Sequence, residues 1–145
     1  MKKFLLSLIL ALGALPVFAA GGGGALQQSG ADLNDKASLQ RGAKLFVNYC
    51  MGCHSMKYMR YSRVAADLGL AEEDVQQWLN FTGAKFGDPM LVAMKPDDAA
   101  KWIGALAPDL SLTARVKVGG PDWIYTYLKS FYVDAKRPLG WNNQL

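Results

Sequence analysis

The chain has 145 residues, a formal net charge of +4, two cysteines and one histidine. After removal of an export signal, this length provides one domain of ordinary size. Loss of Lys2 and Lys3 with that signal lowers the net charge to about +2, a balance too small to indicate nucleic-acid binding.

The N-terminus has the pattern of a secretory signal peptide of bacterial type. Lys2 and Lys3 precede an apolar run over residues 4–15, and small or tolerated residues follow at 17–20. We predict a cleavable signal over residues 1–20; the alternative is an uncleaved N-terminal anchor. No other stretch approaches the roughly 20 apolar residues that span a bilayer. The mature chain as given is therefore expected to be soluble and periplasmic.

Residues 21–34 are rich in glycine and predict a flexible lead-in without fixed structure. The domain proper is expected to cover residues 35–145. Ser38 is the predicted cap of a helix over residues 39–49. Gly42 lies four residues before Phe46, on the same helical face. This spacing fits either ordinary amphipathic packing or close approach of a second helix at Gly42.

The run Cys50-Met51-Gly52-Cys53-His54 is a C-x-x-C-H motif, the attachment signature of a c-type haem. Two thiols three residues apart fall on one side of a helical turn, where they form thioethers with the two haem vinyl groups. The adjacent histidine offers a neutral imidazole nitrogen to the iron. The motif predicts one covalently bound haem c, held by Cys50 and Cys53, with His54 as the iron ligand.

Other interpretations of the two cysteines are weaker. A structural zinc site needs four ligands, usually of cysteine or histidine type, and the chain has three such residues. A thioredoxin-like pair expects a βαβ context, and a disulfide between residues three apart is strained. Met51, Met56 and Met59 surround the motif and are predicted to pack rather than to bind iron.

Three further helices are predicted from their start signals and apolar spacing. They begin near residues 71–74, where acidic side chains fill the first turn, at Pro96 and at Pro121. Residues 82–89 are predicted to form a loop, and no pair of strands is convincing. The fold class is therefore mostly α, with short helices around a covalently bound haem. The side chains predicted to face the core are Val75, Trp78 and Leu79 in the first helix, Trp102, Ile103 and Leu106 in the second, and Ile124, Tyr127, Leu128 and Phe131 in the third.

Three segments together resemble the cytochrome c1 family, in its proteobacterial form. They cover residues 39–61 with the haem motif, residues 107–120 with Ala107-Pro108-Asp109-Leu110-Ser111, and the aromatic helix and loop of residues 122–143. The second and third segments are far more specific than C-x-x-C-H alone. The resemblance implies a class I cytochrome c-like domain, and class I cytochromes c also place a glycine and an aromatic residue ahead of the motif.

The resemblance also implies a function and partners. Cytochrome c1 is the haem subunit of the ubiquinol–cytochrome c reductase (bc1) complex, where it works beside cytochrome b. It takes one electron from the Rieske iron–sulfur protein and passes it to a soluble cytochrome c, and it is not an enzyme by itself. The full-length form is anchored at the periplasmic face of the bacterial inner membrane by a C-terminal helix, which is expected to be missing from this chain.

Site residues carry over by position. Cys50 and Cys53 match the attaching cysteines, and His54 matches the proximal ligand. Arg115 and Lys117 fall where the family has basic groups near the haem propionates, although the second is often arginine, and a lysine lacks the bidentate fork. The other interpretation of both is a solvated loop charge. Pro108 is in position to present its carbonyl to the second nitrogen of His54.

The sixth iron ligand is a separate question. The family's methionine follows the Gly-Trp-Asn-Asn stretch, and this chain ends at Leu145, soon after Asn143. The expectation is a truncated chain whose haem iron is largely high-spin. The alternative is a complete chain that uses Met90 or Met94 as the sixth ligand.

Two functions of other kinds stay open. The first alternative to the cytochrome c1 role is a free periplasmic c-type electron carrier. The second is the haem domain of an enzyme with an open iron position. The second needs a general acid or base beside the iron, and the chain has no histidine besides His54.

Overall fold

The computed structural model describes residues 25–145, so the predicted signal peptide and residues 21–24 of the lead-in lie outside the described part. Helices predominate, as the sequence predicts. None of the helices within residues 25–145 has the length and apolar composition needed to cross a membrane. The elements, in chain order, are α1 (Lys36–Tyr49), β1 (Met56–Arg60), α2 (Tyr61–Leu68), α3 (Glu72–Trp78), β2 (Pro89–Met90), α4 (Pro96–Ile103), α5 (Thr113–Val116), α6 (Pro121–Lys129), β3 (Phe131–Val133) and β4 (Trp141–Asn143).

Helix α1 leads directly into the haem motif, but its cap is not the predicted residue. The Asp35 carboxylate accepts a 2.9 Å hydrogen bond from the backbone N–H of Ser38, so Asp35 caps the helix and Ser38 lies in its first turn. Apart from Gly42, its two chain neighbours and the adjacent backbone of its own helix, no atom of residues 25–145 lies within 4 Å of a Cβ built on Gly42. Within the part of the chain that the structure describes, the alternative of a second helix approaching closely at Gly42 is therefore wrong. Phe46 packs against the core in the ordinary amphipathic way.

The core lies where α1, α2, α3 and β2 meet. Tyr61 and Val75 are fully buried, and Leu79 is nearly so, as its helical spacing predicts. Trp78, predicted to share that face, is 60% exposed. Spacing identifies a face of a helix, but it does not fix how far the neighbouring helix extends over it. The buried cluster consists of Val47, Met51, Tyr61, Ala65, Val75, Leu79 and Met90, with Met56 and Met59 packed against it.

The sequence predicts no convincing pair of strands, and this prediction is wrong. Strands β1 and β2 pair antiparallel with Met56 opposite Met90, and an irregularity separates that pair from Arg60 and Pro89. Strands β3 and β4 pair antiparallel with Phe131 opposite Asn143. Strands β2, β3 and β4 contain two or three residues, too few for an alternating pattern to show, and the five residues of β1 do not alternate apolar with polar side chains. The predicted loop over residues 82–89 is confirmed up to Pro89, which belongs to β2.

Helices α4 and α6 begin at Pro96 and Pro121, as predicted, but their inward faces differ from the prediction. The buried residue of α4 is Ala99, and that of α6 is Thr126. These helices therefore pack through small side chains, and much of the apolar surface stays exposed. The predicted core residues that are exposed are Trp102 (70%), Ile103 (40%) and Leu106 (57%) near α4, and Leu128 (62%) and Phe131 (46%) near α6; Ile124 and Tyr127 are half-buried.

Part of the lead-in has a defined structure. The backbone N–H of Gln27 donates to the Thr126 hydroxyl at 2.9 Å. The backbone N–H and the hydroxyl of Ser29 both donate to the Asp122 carboxylate at 2.8 Å. The prediction of a lead-in without fixed structure is thus wrong for residues 27–29. The glycine-rich composition reflects the flexibility of the isolated segment. It does not reveal the polar groups of α6 to which residues 27–29 are hydrogen-bonded.

Candidate haem site

The residues of the C-x-x-C-H motif form a single tight turn at the end of α1. The backbone N–H of Cys50 donates to the carbonyl of Phe46 at 2.9 Å, which continues the helix to Cys50. The carbonyl of Cys50 then accepts from the N–H groups of Cys53 at 3.1 Å and His54 at 2.9 Å. This turn brings together the three residues predicted from the sequence. Both cysteines are free thiols and half-buried.

The two thiols have different surroundings. Burial raises the pKa of the Cys50 thiol, because desolvation penalises the charged thiolate. Cys50 therefore keeps its thiol proton more firmly than an exposed cysteine does.

The imidazole of His54 is held through one nitrogen. Its Nδ1 lies 2.7 Å from the carbonyl oxygen of Pro108. A carbonyl oxygen only accepts, so Nδ1 is the donor, and in the neutral form of the ring the lone pair is then on Nε2. This is the tautomer that a metal ligand needs. The contact predicted for Pro108 is confirmed.

These observations test whether the residues fit a c-type haem. Two free thiols lie on one turn, and the neighbouring imidazole is held through Nδ1, which leaves Nε2 as its second ring nitrogen for a metal. Both features match the donor set of a covalently attached haem. Within residues 25–145, no group of three or more histidine, cysteine or acidic side chains is placed to hold another metal ion.

The segment that carries Pro108 is fastened to the chain just after His54. The Asp109 carboxylate accepts from the backbone N–H of Lys57 at 2.8 Å, and the Ser111 hydroxyl accepts from that of Tyr58 at 3.1 Å. The N–H of Leu110 donates to the carbonyl of Ser55 at 2.9 Å. We call residues 108–111 the clamp segment. Its anchors join positions more than 50 residues apart in sequence.

Sequence reasoning recognised the clamp segment as a family feature but gave Asp109 and Ser111 no role. The signal was present, since an Asp two residues before a Ser is a common side chain-to-backbone turn. The backbone N–H of Ser111 indeed donates to Asp109 at 3.0 Å. Partial burial works to raise the pKa of Asp109, but hydrogen bonds from Ser111 and Lys57 outweigh it and lower that pKa below the ordinary value.

Arg115 and Lys117 lie on and just after α5. The Lys117 ammonium lies 4.4 Å from the centroid of the Trp123 ring, a cation–π contact. Arg115 is exposed. In the described part of the chain, neither side chain has a hydrogen bond or ion pair with the haem-motif turn or the clamp segment. Their role near the haem propionates stays a prediction.

The two candidate sixth ligands have different positions. Met90 is 3% exposed and belongs to the core cluster with Met51 and Tyr61, so it is a packing residue. Met94 is half-buried, and the backbone N–H of Val92 in the same segment donates to the Ser55 hydroxyl at 2.9 Å. The core location of Met90 argues against it as an iron ligand.

Comparisons with known proteins identify the family to which the chain is similar. The model of the Cytochrome C1 family matches residues 28–144. The chain is 53% identical, over its whole length, to a protein named cytochrome c1 from Allochromatium vinosum. It is 46% identical, over 99% of its length, to a protein named ammonia monooxygenase gamma subunit from Nitrosomonas europaea. It is 32% identical, over 74% of its length, to cytochrome c1 of Rhodospirillum rubrum, 46% of which is covered. The chain spans 59% of the length of each of the first two relatives.

Proposed function

The chain belongs to the cytochrome c1 family, and from that premise we propose that it is the haem domain of an electron-transfer subunit. In this proposal the subunit serves a ubiquinol–cytochrome c reductase. It receives one electron from a Rieske iron–sulfur protein and passes it to a soluble cytochrome c. The domain is not an enzyme by itself.

Members of this family carry one haem c, which confirms the cofactor predicted from the motif. When bound, a haem supplies one-electron redox chemistry, while the protein tunes its potential and access. We assign attachment to Cys50 and Cys53 and iron binding to Nε2 of His54. Arg115 and Lys117 are proposed to balance the charge of the propionates.

The observation that carries this assignment is the 2.7 Å contact between Nδ1 of His54 and the Pro108 carbonyl. The contact fixes both the tautomer and one rotational setting of the ring. A ligand held in this way needs little rearrangement when the iron gains or loses an electron. This suits a centre that transfers electrons without moving protons.

The proposed location follows from the same premise. The signal predicted over residues 1–20 directs the chain to the periplasm, where c-type haem is attached. We propose that the full-length form is anchored at the periplasmic face of the inner membrane beside cytochrome b. The N-terminal sequence of the exported protein tests the signal, because cleavage after Ala20 leaves Gly21 as the first residue.

A two-step electron-transfer experiment tests the function. The full chain, produced in a periplasm with haem-ligation machinery, is mixed in its ferric form with a reduced soluble Rieske domain, and then with ferric cytochrome c. We expect rapid reduction in the first step and rapid reoxidation in the second. The double variant Cys50→Ala/Cys53→Ala is the control that cannot attach haem. Slow reaction with the Rieske domain but fast exchange with cytochrome c favours the alternative, a free periplasmic carrier.

A further inference from the structure

We infer that Asp109 is a positioning residue for the haem-binding histidine. It acts by holding the Pro108 carbonyl against Nδ1 of His54. This inference rests on the proposed function, since it concerns the same ligand, and it assigns a role to a side chain that does not itself touch the imidazole.

The carbonyl of Pro108 and the backbone of Asp109 share a planar peptide bond. The proline ring also fixes φ at residue 108. The direction of the Pro108 carbonyl is therefore set mainly by where Asp109 is held.

Two hydrogen bonds fix the position of the Asp109 carboxylate. One carboxylate oxygen accepts from the backbone N–H of Lys57 at 2.8 Å, and the other accepts from that of Ser111 at 3.0 Å. The carboxylate thus bridges the two segments, because Lys57 lies three residues after His54 and Ser111 belongs to the clamp segment. Hydrogen bonds to an ionised acceptor are stronger than neutral ones.

The contact between His54 and Pro108 is open to solvent. Pro108 is exposed and His54 only half-buried, so water competes for both partners of the histidine contact. An exposed hydrogen bond between groups that are 54 residues apart persists only if the backbone around it is fixed in advance. The Ser111–Tyr58 and Leu110–Ser55 bonds share this task, but the Asp109–Lys57 bond has the charged acceptor and belongs to the residue directly after Pro108.

The test compares Asp109→Ala and Asp109→Asn with the wild-type haem protein. Alanine removes both acceptors, whereas asparagine keeps one oxygen and turns an NH₂ group toward the second N–H. We expect the ring Nδ1–H of His54, followed by NMR in the ferrous state, to exchange about tenfold faster with solvent in Asp109→Ala, the factor expected for one lost bond to a charged group. Asp109→Asn is expected to lie between Asp109→Ala and the wild type.

A matched control is Asp32→Asn, which makes the same charge change in an exposed turn where Asp32 accepts from the N–H of Asn34 at 2.8 Å. It is expected to leave the His54 exchange rate unchanged. The inference is overturned if Asp109→Ala exchanges no faster than Asp32→Asn. It is also overturned if every amide of the chain exchanges faster by the same factor, because Asp109 then supports only global stability.

The failure of this inference can be distinguished from failure of the proposed function. Absence of attached haem in the wild-type protein contradicts the function. In that event the backbone N–H of Lys57, measured by hydrogen exchange, still reports on the Asp109 contact. Normal haem attachment in Asp109→Ala with unchanged His54 and Lys57 exchange removes the positioning role and leaves the function intact.

Discussion

Removal of one buried hydroxyl group, in Tyr61→Phe, tests the core that supports the haem turn. The Tyr61 ring is fully buried, and its hydroxyl lies 3.2 Å from the Thr82 hydroxyl and 3.9 Å from the sulfur of Met51. The Thr82 hydroxyl donates to the Asn80 side chain at 3.0 Å, which leaves it as the acceptor for Tyr61. The sulfur is the weaker partner.

The magnitude follows from this arrangement. Tyr61→Phe keeps the ring and its packing, and it costs one buried hydrogen bond. Thr82 keeps its bond to Asn80, so no donor is orphaned. We therefore expect the free energy of unfolding to fall by about 1 kcal/mol, and the melting temperature by about 4 °C.

The assay is guanidinium unfolding of the ferric haem protein, followed by circular dichroism. The control is Tyr58→Phe, since Tyr58 is 66% exposed and its loss of a hydroxyl should change stability by less than about 0.5 kcal/mol. Equal stabilities of the two variants would refute the assignment of Tyr61 as a hydrogen-bonded core residue. A loss well above 3 kcal/mol in Tyr61→Phe would show that the hydroxyl does more than the two contacts imply.

Two further predictions concern Met90 and Asp122. Met90→Ala is expected to lower the free energy of unfolding by about 2–5 kcal/mol, the cost of emptying a buried methionine site, and to leave the visible spectrum of the ferric haem unchanged; loss of a band near 695 nm would instead name Met90 as an iron ligand. Hydrogen bonds from the backbone and side chain of Ser29 lower the pKa of Asp122. The ionised Asp122 therefore holds residues 27–29 on α6 fully at pH values above the ordinary aspartate pKa, roughly 3.9. This stabilisation is lost as the pH falls below that value and Asp122 becomes protonated. Protection of the Ser29 amide, its exchange rate compared with the intrinsic rate at the same pH, should fall over that range in the wild type. Asp122→Asn should abolish this pH dependence of the protection, and its persistence in the variant would assign it to another group.

The haem turn was predictable because its information is local. The spacing of Cys50, Cys53 and His54 fixes one turn of chain, and the structure reproduces it with two hydrogen bonds to the carbonyl of Cys50. The starts of α3, α4 and α6 were predictable for the same reason, since acidic residues or a proline in the first turn act over a few residues.

Features that depend on distant partners were not predictable from local patterns. Strands β1 and β2 exist because Met56 meets Met90, and neither segment shows an alternating pattern. Trp102 lies on the apolar stripe of α4, yet Ala99 is the residue that is buried there. The anchors of the clamp segment required knowing that residue 109 lies beside residue 57.

Family resemblance supplied part of what local pattern did not. It placed Pro108 near His54, and the structure shows that contact. It also predicted Arg115 and Lys117 near the haem propionates. Within residues 25–145 the structure shows a cation–π contact of Lys117 with Trp123 and no ion pair of either residue.

In the proposed function, one haem is attached through both cysteines of the turn. Mass spectrometry of the proteolytic peptide that contains residues 50–54 tests it most directly, after acid–acetone extraction of the purified chain. We predict one haem retained on this peptide by two thioether bonds, at Cys50 and Cys53. Complete extraction of the haem, or a peptide in which the two cysteines form a disulfide, would contradict the account.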